Sequence, residues 1–369
     1  MNISVYIPTG NILVGGGEVV PLMQAQFLSR MGHTVTVLCI SSKVTTDFFK
    51  NFQQNNPNIS YVFLKPAYDG FEDLSQTTID HRMTHELYFA LSRPLSSYLN
   101  INAPDVILTH YAPAGISVPS TIKQALFLHG VPSEIQTVNV SGFKSADARI
   151  AVSNSVAEGW TEQTGQKPEI VIHNGIDMSL YFPIKETQKD IDVLYVGRHI
   201  EIKGIQYIIK AANLLKEQGT QVHISIAGKG PYTEYLKKLT SSLGLDSSIV
   251  FLGYVDEKEL NTLYNRSKIA IFPSYAKEGV LTTMLEAAAA KTALITSNCC
   301  GMIDFAKDTV NAYLVKPQDE EDIAGKIQLL LSNPSLRERL SEQAYQDIHD
   351  NWTWEDSVSR LDSFLQTII

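Results

Sequence analysis

The chain has 369 residues, of which 44% are hydrophobic and 19% charged, and its formal net charge is −9. This length exceeds one usual domain and fits two domains of about 150–190 residues. Neither half is basic, which argues against nucleic acid as a partner and gives no support for peripheral contact with an anionic membrane. Since no run of about 18 apolar residues occurs, no membrane-spanning helix is predicted.

Three cysteines, Cys39, Cys299 and Cys300, occur in the chain. Their positions match no zinc-binding spacing and provide no disulfide framework. The N-terminus, MNISVYIPTG, lacks the basic start and apolar centre of a signal peptide and predicts a first strand. We therefore expect a cytoplasmic protein.

Short apolar runs alternate with helical patterns along nearly the whole length. Predicted strands of the first series are 3–7, 34–40, 59–64, 105–109, 125–128, 148–152 and 169–172, and its predicted helices lie near 18–31, 80–100 and 154–164. A second series follows a polar link, with strands at 191–196, 222–227, 249–253, 268–272, 292–296 and 311–315. Strands separated by helices indicate parallel sheets with helices on both faces. The pattern predicts an α/β protein with two Rossmann-like, doubly wound domains, 1–185 and 186–352, facing each other across a central cleft.

A glycine-rich loop, Gly15–Gly17, follows the first predicted strand. Glycines at this point allow the backbone to approach a ligand closely. A dinucleotide site would need G-x-G-x-x-G and an acidic residue about 20 positions later. GGGEVV lacks that spacing and the second strand ends without an acid, so an NAD-dependent oxidoreductase is disfavoured. A flexible turn is the structural alternative.

Two histidines end predicted strands, His110 in DVILTH and His129 in ALFLHG. Residues just beyond the carboxyl ends of parallel strands line the crevice of an open α/β sheet. An imidazole there can hydrogen-bond sugar hydroxyls. We expect a ligand-facing role for His129 and, as a second candidate, for His110; a purely structural histidine is the alternative for each.

In the second half, Arg198 and Lys203 lie five residues apart in GRHIEIKG, between a strand and a helix. A guanidinium and an ammonium beside a helix start suit a diphosphate, because both are cations and arginine binds bidentately. Further along, Glu278 precedes a helix and Glu286 lies about two turns inside it. We expect a phosphate at the helix start and ribose hydroxyls at Glu286; two ordinary acids near a helix start are the alternative reading.

Taken together, these motifs resemble those of the retaining GT-B glycosyltransferases of family 4. They occur in the family's order: the glycine-rich loop, PDVILTH, the strand ending at His129, AVSNS, HNGID, VGR…KG, IAGKGP, FLGYV, FPS…EG and E-x7-E. The resemblance covers nearly the whole chain. Each motif alone is weak, whereas the ordered set is specific.

The resemblance implies roles for individual residues. The implied catalytic residues are Arg198, Lys203, Glu278 and His129. The implied donor-binding residues are Gly16, Gly17, Gly197, Gly279, Val280, Leu281, Thr282 and Glu286. An acceptor contact is assigned to His110. The resemblance also implies that the C-terminal helix, 353–369, returns to the first domain, with Trp352 and Trp354 anchoring the crossing.

Two features depart from the family or imitate another one. Leu281 stands where a second glycine is usual after E-G-F, which leaves the identity of the donor sugar open. Asp190 and Asp192 imitate the metal-binding D-x-D of the other glycosyltransferase fold, but they precede a strand. We read them as solvated linker and expect no metal site and no cofactor.

The sequence therefore predicts a retaining, metal-independent hexosyltransferase of polysaccharide or glycoconjugate biosynthesis. Its donor would be a nucleotide diphosphate sugar, UDP- or GDP-sugar favoured, and its acceptor a hydroxyl of a glycan or lipid-linked glycan. A non-catalytic GT-B partner subunit and a GT-B-type sugar-nucleotide epimerase are the alternatives. The GR-x4-KG motif and the E-x7-E pair argue against both.

Overall fold

The structure, a computed structural model, describes residues 1–71, 81–131, 137–276 and 279–369. It divides into two compact units. Unit 1 comprises Met1–His173 and Trp354–Ile369, and unit 2 comprises Asn174–Thr353. Within the described ranges, no helix has the length and apolar content needed to cross a lipid bilayer.

Unit 1 is built on a sheet of seven parallel strands in the order β3-β2-β1-β4-β5-β6-β7. The strands are β1 (Asn2–Tyr6), β2 (Thr34–Ile40), β3 (Ser60–Leu64), β4 (Val106–Thr109), β5 (Lys123–Leu128), β6 (Ala148–Ala151) and β7 (Ile170–Val171). The first six follow the 3-2-1-4-5-6 order of the Rossmann sheet. The order reverses between β1 and β4, so the loops after these strands leave neighbouring positions in the sheet.

Helices cover both faces of this sheet. They are α1 (Gly16–Arg30), α2 (Asp47–Asn55), α3 (His81–Asn102), α4 (Thr137–Ser145) and α5 (Asn154–Thr164). Alternation of side chains along β1 explains the two layers, because Ile3 and Val5 enter one apolar cluster and Tyr6 enters the other. Strands buried on both faces read as continuous apolar runs.

Unit 2 is built on six parallel strands in the order β10-β9-β8-β11-β12-β13. The strands are β8 (Ile191–Val196), β9 (Ile224–Ala227), β10 (Ile249–Gly253), β11 (Ser267–Phe272), β12 (Ala293–Ser297) and β13 (Tyr313–Val315). The helices are α6 (Ile205–Glu217), α7 (Thr233–Ser242), α8 (Glu257–Asn265), α9 (Thr282–Ala289), α10 (Met302–Phe305), α11 (Glu320–Ser332) and α12 (Pro334–Asn351). This sheet has the same order, and it reverses between β8 and β11.

The last helix, α13 (Trp354–Ile368), packs in unit 1 although it follows unit 2 in the sequence. Trp354 stacks on Phe27 of α1 with ring centroids 6.5 Å apart. Asp362 lies 2.9 Å from the His33 Nε2. Trp352 does not join this contact, because it packs against Phe305 in unit 2. Of the two tryptophans expected to anchor the crossing, only Trp354 lies in the core of unit 1.

The boundary between the units differs from the predicted one. The sequence placed it at 185/186, whereas the structure places it between His173 and Asn174. The reason is that the segment after Asn174 packs on unit 2. Ile176 and Tyr181 enter its core, and the amide of Phe182 donates to Asn261 at 3.1 Å. A polar composition had suggested a linker, but Ile176 and Tyr181 within it are buried.

Candidate active site

The candidate site of unit 2 lies where the strand order reverses. β8 and β11 are neighbours in the sheet, so the loop after β8 (197–204) and the loop after β11 (273–281) start side by side. Ligands of open parallel sheets bind at the carboxyl ends of the strands at this point. The first loop carries Arg198 and Lys203. Tertiary structure thus joins two stretches that are about 75 residues apart in sequence.

Hydrogen bonds and close packing hold these two loops together. The Tyr275 amide donates to the Ile202 carbonyl oxygen at 3.0 Å, and the Ser274 hydroxyl donates to the same oxygen at 3.1 Å. A Cβ atom at position 204 would stand 2.1 Å from the carbonyl oxygen of Pro273, and the φ of Gly204 is +73°. Both observations require glycine at this position. The second loop therefore fixes the segment that contains Lys203.

Two cations lie in the loop that leads from β8 to α6. Arg198 is exposed, and within the described part of the chain its guanidinium forms no hydrogen bond or ion pair. Lys203 is half-buried and ends a short 3-10 turn that also contains the exposed Glu201. Gly204 is the N-cap of α6 and provides no side-chain cap. Uncapped N–H groups and two cations outweigh one exposed acid, so this loop is suited to an anion.

A third loop, after β9, packs on the first through His199, which the sequence analysis did not single out. The buried His199 ring places Nδ1 2.9 Å from the hydroxyl oxygen of Thr233. Its amide donates to the Lys229 carbonyl oxygen at 3.0 Å. Burial lowers the pKa of His199, so the ring is neutral at pH 7. Its position next to Arg198 in the sequence was the available signal for a role in supporting this loop.

Four of the predicted donor-binding residues, Gly279, Val280, Leu281 and Thr282, lie at the start of α9. Leu281 is the N-cap residue of this helix and provides no side-chain acceptor. Val280 is buried against the core of the unit. An uncapped helix start is a favourable place for a phosphate group. Glu278, the remaining predicted residue of this loop, lies outside the described residues.

Glu286 lies inside α9 and is only 8% exposed. Its Oε2 accepts a hydrogen bond of 2.8 Å from the hydroxyl of Tyr264 on α8. Burial, and then the neighbouring carboxylate, raises the pKa of Tyr264 well above its usual value, so the phenol remains a donor. Sequence reasoning missed Tyr264 because no local pattern links it to Glu286. The tyrosine orients the carboxylate that was predicted to face ribose hydroxyls.

Asp190 and Asp192, which imitate a D-x-D motif, lie at the start of β8, whereas Arg198 follows its end. Asp190 forms a two-contact ion pair with Arg266, 2.6 Å at the shorter contact, and Asp192 lies 2.7 Å from the Lys268 ammonium. Asp192 is part of β8 with its side chain 13% exposed, so the reading of solvated linker is wrong for it. Among the described residues, no cluster of three or more His, Cys, Asp or Glu side chains is arranged to hold a metal ion.

In unit 1, the two strand-end histidines form a pair. β4 and β5 are neighbours, and the Nδ1 of His110 lies 2.9 Å from the Nε2 of His129. Their rings stack with centroids 5.2 Å apart, and Phe127 stacks on His110 at 5.0 Å. His110 is 2% exposed, which does not suit the predicted acceptor contact. It lies beneath the half-buried His129 and orients that ring instead.

Burial sets the protonation of this pair. It lowers the pKa of His129 to about 4 and that of His110 well below its usual value. Two neutral rings share one proton along the hydrogen bond. The Nε2 of His110 is buried with no partner among the described residues. Since a buried N–H without an acceptor is costly, the favoured arrangement has His110 Nδ1–H donating, which leaves the proton of His129 on its Nδ1.

These pKa shifts predict that acid destabilises the protein. The unfolded chain binds protons at histidine below pH 6.5, whereas the folded pair does not until about pH 4. The stability that the neutral pair contributes is therefore fully present above pH 6.5 and is lost as the pH falls towards 4. When the pH is lowered from 8 to 5, we expect the lowered pKa of His129 alone to reduce the free energy of unfolding by about 2 kcal/mol. Denaturant unfolding measures this change.

The matched variants are His110→Asn combined with His129→Asn, and the exposed His349→Asn. The first should flatten the pH dependence of the unfolding free energy between pH 8 and pH 5, and the second should retain the parent's slope. Equal slopes in all three proteins would contradict the assignment of neutral rings to this pair.

The predicted glycines of unit 1 lie at the reversal of its sheet. Gly16 begins α1, and a Cβ atom there would meet nothing within 4 Å among the described residues. A Cβ at Gly17 would stand 2.8 Å from the hydroxyl oxygen of Tyr111. Burial, and then the Glu18 carboxylate, raises the pKa of Tyr111 to about 12. The absence of a side chain at Gly17 leaves room for the Tyr111 hydroxyl, and the space beside Gly16 is not filled by the described residues. Contacts of both glycines with the donor stay predictions.

Two family models match consecutive parts of the chain. Residues 14–180 match the model described as Glycosyltransferase Family 4, and residues 180–347 match the one described as Glycosyl transferases group 1. An uncharacterised glycosyltransferase of Methanocaldococcus jannaschii is 33% identical over 165 residues, which are 44% of this chain and 42% of that relative. The alignments with this and two other curated relatives span 42%, 62% and 39% of the relatives' lengths, less than two thirds in each case.

Solved structures match over nearly the whole chain. Sucrose-phosphate synthase from Thermosynechococcus elongatus superimposes with a TM-score of 0.82 at 18% identity, covering 99% of this chain and 98% of that one. Anabaena HepE in complex with UDP-glucose superimposes with a TM-score of 0.79 at 17% identity, covering 99% of each chain. The two Rossmann-like units therefore constitute the GT-B fold.

Proposed function

We propose that this chain, whose family matches and fold support a GT-B glycosyltransferase of group 1, transfers a hexose-type sugar from a nucleotide diphosphate sugar to a hydroxyl group. The observation that carries the proposal is the loop of Arg198 and Lys203. At the reversal of the unit 2 sheet, this loop is hydrogen-bonded to Ser274 and Tyr275, which lie between β11 and α9. Cations and uncapped helix starts at one crevice suit a diphosphate.

The chemistry follows from where charge develops. Cleavage of the bond between the sugar and the diphosphate leaves additional negative charge on the departing nucleotide. Arg198 and Lys203 stabilise that charge in place, and α9 contributes the N–H groups of Leu281 and Thr282. Glu286, oriented by Tyr264, accepts hydrogen bonds from the ribose hydroxyls. Arg198 and Lys203 thus bind the diphosphate of the nucleotide, and Glu286 binds its ribose.

The donor sugar and the acceptor complete the proposal. His129 donates from its Nδ1 to an oxygen of the donor sugar, because His110 holds the other nitrogen. A UDP-sugar is the first candidate donor, as UDP-glucose is bound in the structure of Anabaena HepE, and a GDP-sugar is the second. We further propose retention of the anomeric configuration without a metal ion, with a glycan or lipid-linked glycan as acceptor. The family resemblance supports these finer points.

The test is a thermal-shift panel of UDP-, GDP-, ADP- and dTDP-sugars, each with and without EDTA. A ligand at 100 times its dissociation constant stabilises the folded state by about 2.7 kcal/mol. We expect one nucleotide class to raise the unfolding temperature in the presence of EDTA, and Arg198→Ala to abolish that rise. NMR of the anomeric proton in the product then reports the stereochemistry.

Exposed Lys238→Ala on α7 provides the control, since it removes a cation from the same unit outside the three loops. It should respond to the nucleotide as the parent does. Failure of all four classes to shift the unfolding temperature would count against a donor site and favour the non-catalytic partner subunit. A shift that disappears with EDTA would refute the metal-free site.

A further inference from the structure

Two adjacent thiols follow β12, at the carboxyl edge of the unit 2 sheet. Cys299 and Cys300 are both half-buried, and their Sγ atoms lie 3.0 Å apart. The only other cysteine of the chain, Cys39, is buried in the core of unit 1. The proposed transfer reaction uses none of these thiols.

Backbone conformation brings the two sulfur atoms together. Successive side chains of an extended chain point in opposite directions. Cys300 has a φ of +59°, in the left-handed region that residues other than glycine seldom adopt. This conformation turns the Cys300 side chain towards that of Cys299. Such unfavourable backbone conformations occur preferentially at functional sites.

The pair contacts the loops of the candidate active site. β12 is the neighbour of β11 in the sheet, and the Cys299 thiol donates to the Ser274 carbonyl oxygen at 3.5 Å. The Ser274 hydroxyl in turn donates to the Ile202 carbonyl oxygen. A chemical change at Cys299 therefore acts directly on the loop that leads to α9 and, through Ile202, on the segment that contains Lys203.

We propose that Cys299 and Cys300 are a modification site that forms a reversible disulfide between adjacent residues, and that the oxidised form binds the nucleotide donor more weakly. The oxidant is a low-molecular-weight disulfide such as oxidised glutathione. One thiolate attacks it and releases one glutathione thiol; the second thiolate attacks the mixed disulfide and releases the other. Two protein thiols are thus oxidised and one glutathione disulfide is reduced to two thiols. The second part of this inference rests on the proposed function.

The geometry predicts that this disulfide is easily reduced. Adjacent Cα atoms are about 3.8 Å apart, whereas most disulfides join Cα atoms about 4.4–6.8 Å apart. A bond between neighbours therefore stores strain, and strained disulfides are the labile and regulatory ones. Oxidation also removes the thiol hydrogen that Cys299 donates to Ser274, which loosens the attachment of the loop after β11.

The first test counts thiols in the full chain after exposure to oxidised glutathione. We expect the thiol count of the denatured protein to fall from three to one, and the intact mass to fall by two hydrogens without a glutathione adduct. The remaining thiol is Cys39, whose burial raises its pKa and slows its reaction. Dithiothreitol should restore all three thiols.

The matched variants are Cys299→Ser and Cys300→Ser, each of which retains one thiol of the pair. Neither can close the ring, so both should accumulate a mixed disulfide with glutathione. Retention of all three thiols in the parent, or a stable glutathione adduct on it, would overturn the modification site. A Cys39→Ser variant should oxidise as the parent does.

The second test measures the thermal shift given by a UDP-sugar for the reduced and the oxidised protein. We expect oxidation to weaken donor binding about tenfold and the two serine variants to keep the affinity of the reduced parent. Equal affinities in the two forms would refute the coupling to the donor site. If the disulfide forms but the reduced protein binds no nucleotide of any class, the proposed function fails while the modification site stands.

Discussion

Replacing Arg198 with alanine is expected to lower kcat/KM for sugar transfer by about 10²–10³-fold, because loss of one preorganised group that faces developing charge typically has this effect. The folded state should be nearly unchanged. Arg198 is exposed and its guanidinium forms no hydrogen bond or ion pair within the described ranges, and surface substitutions of this kind typically change stability by about 0.5 kcal/mol or less. The measurement is steady-state kinetics beside thermal unfolding.

Arg360→Ala is the matched control, because Arg360 is an exposed arginine of α13 in the other unit. It should retain the activity of the parent. Activity of Arg198→Ala within twofold of the parent would refute the role of Arg198. A large loss of unfolding temperature in the same variant would show instead that Arg198 stabilises the fold.

Replacing Gly228 with alanine is expected to destabilise unit 2 by at least about 2 kcal/mol and to abolish donor binding. Gly228 has a φ of +124°, and a Cβ atom there would stand 1.9 Å from the carbonyl oxygen of Gly197. The contact is with backbone, so no side chain can move aside. Either strand-end loop must shift, and one of them carries Arg198. Thermal unfolding and the nucleotide shift measure the two effects.

Gly325→Ala makes the same chemical change where the structure tolerates it. Gly325 lies on the exposed side of α11, and a Cβ atom there would meet nothing within 4 Å among the described residues. Alanine should stabilise this helix by about 0.5–1 kcal/mol. Destabilisation by both substitutions, or by neither, would contradict the close approach of the loops at Gly228.

The architecture was largely predictable from the sequence. All thirteen strands in the described part of the chain coincide with predicted apolar runs, because strands buried on both faces appear in the sequence as continuous hydrophobic segments. Predictions failed where the pattern was short or mixed. α2 was missed, although Thr46 caps it by accepting from the Phe49 amide and Phe49 and Phe52 provide its buried side. The polar segment after Asn174 was assigned to the wrong unit, because only two of its residues, Ile176 and Tyr181, bury apolar side chains in the core of unit 2.

The candidate site was predictable only in part. Arg198, Lys203 and the start of α9 follow strands directly, and the carboxyl end of a parallel strand is a position that sequence can locate. The residues that hold these side chains and loops in place could not be predicted from the sequence. Tyr264 reaches Glu286 across 22 residues, and His199 reaches Thr233 across 34. His110 was predicted as an acceptor contact, but pairing with His129 and burial of its ring depend on β4 and β5 being neighbours.

The sequence by itself determined the class of fold, the loops that carry charge and the glycines that such loops need, because periodicity and turn chemistry are local properties. Only the tertiary structure decided which loops meet, which protonation states burial imposes and which side chains orient others. Strand order controls the first, since β8 and β11 become neighbours only once the sheet forms. Burial controls the protonation states, as the lowered pKa of His129 shows. Packing of elements that are distant in sequence controls which side chains orient others, as Tyr264 and Glu286 show.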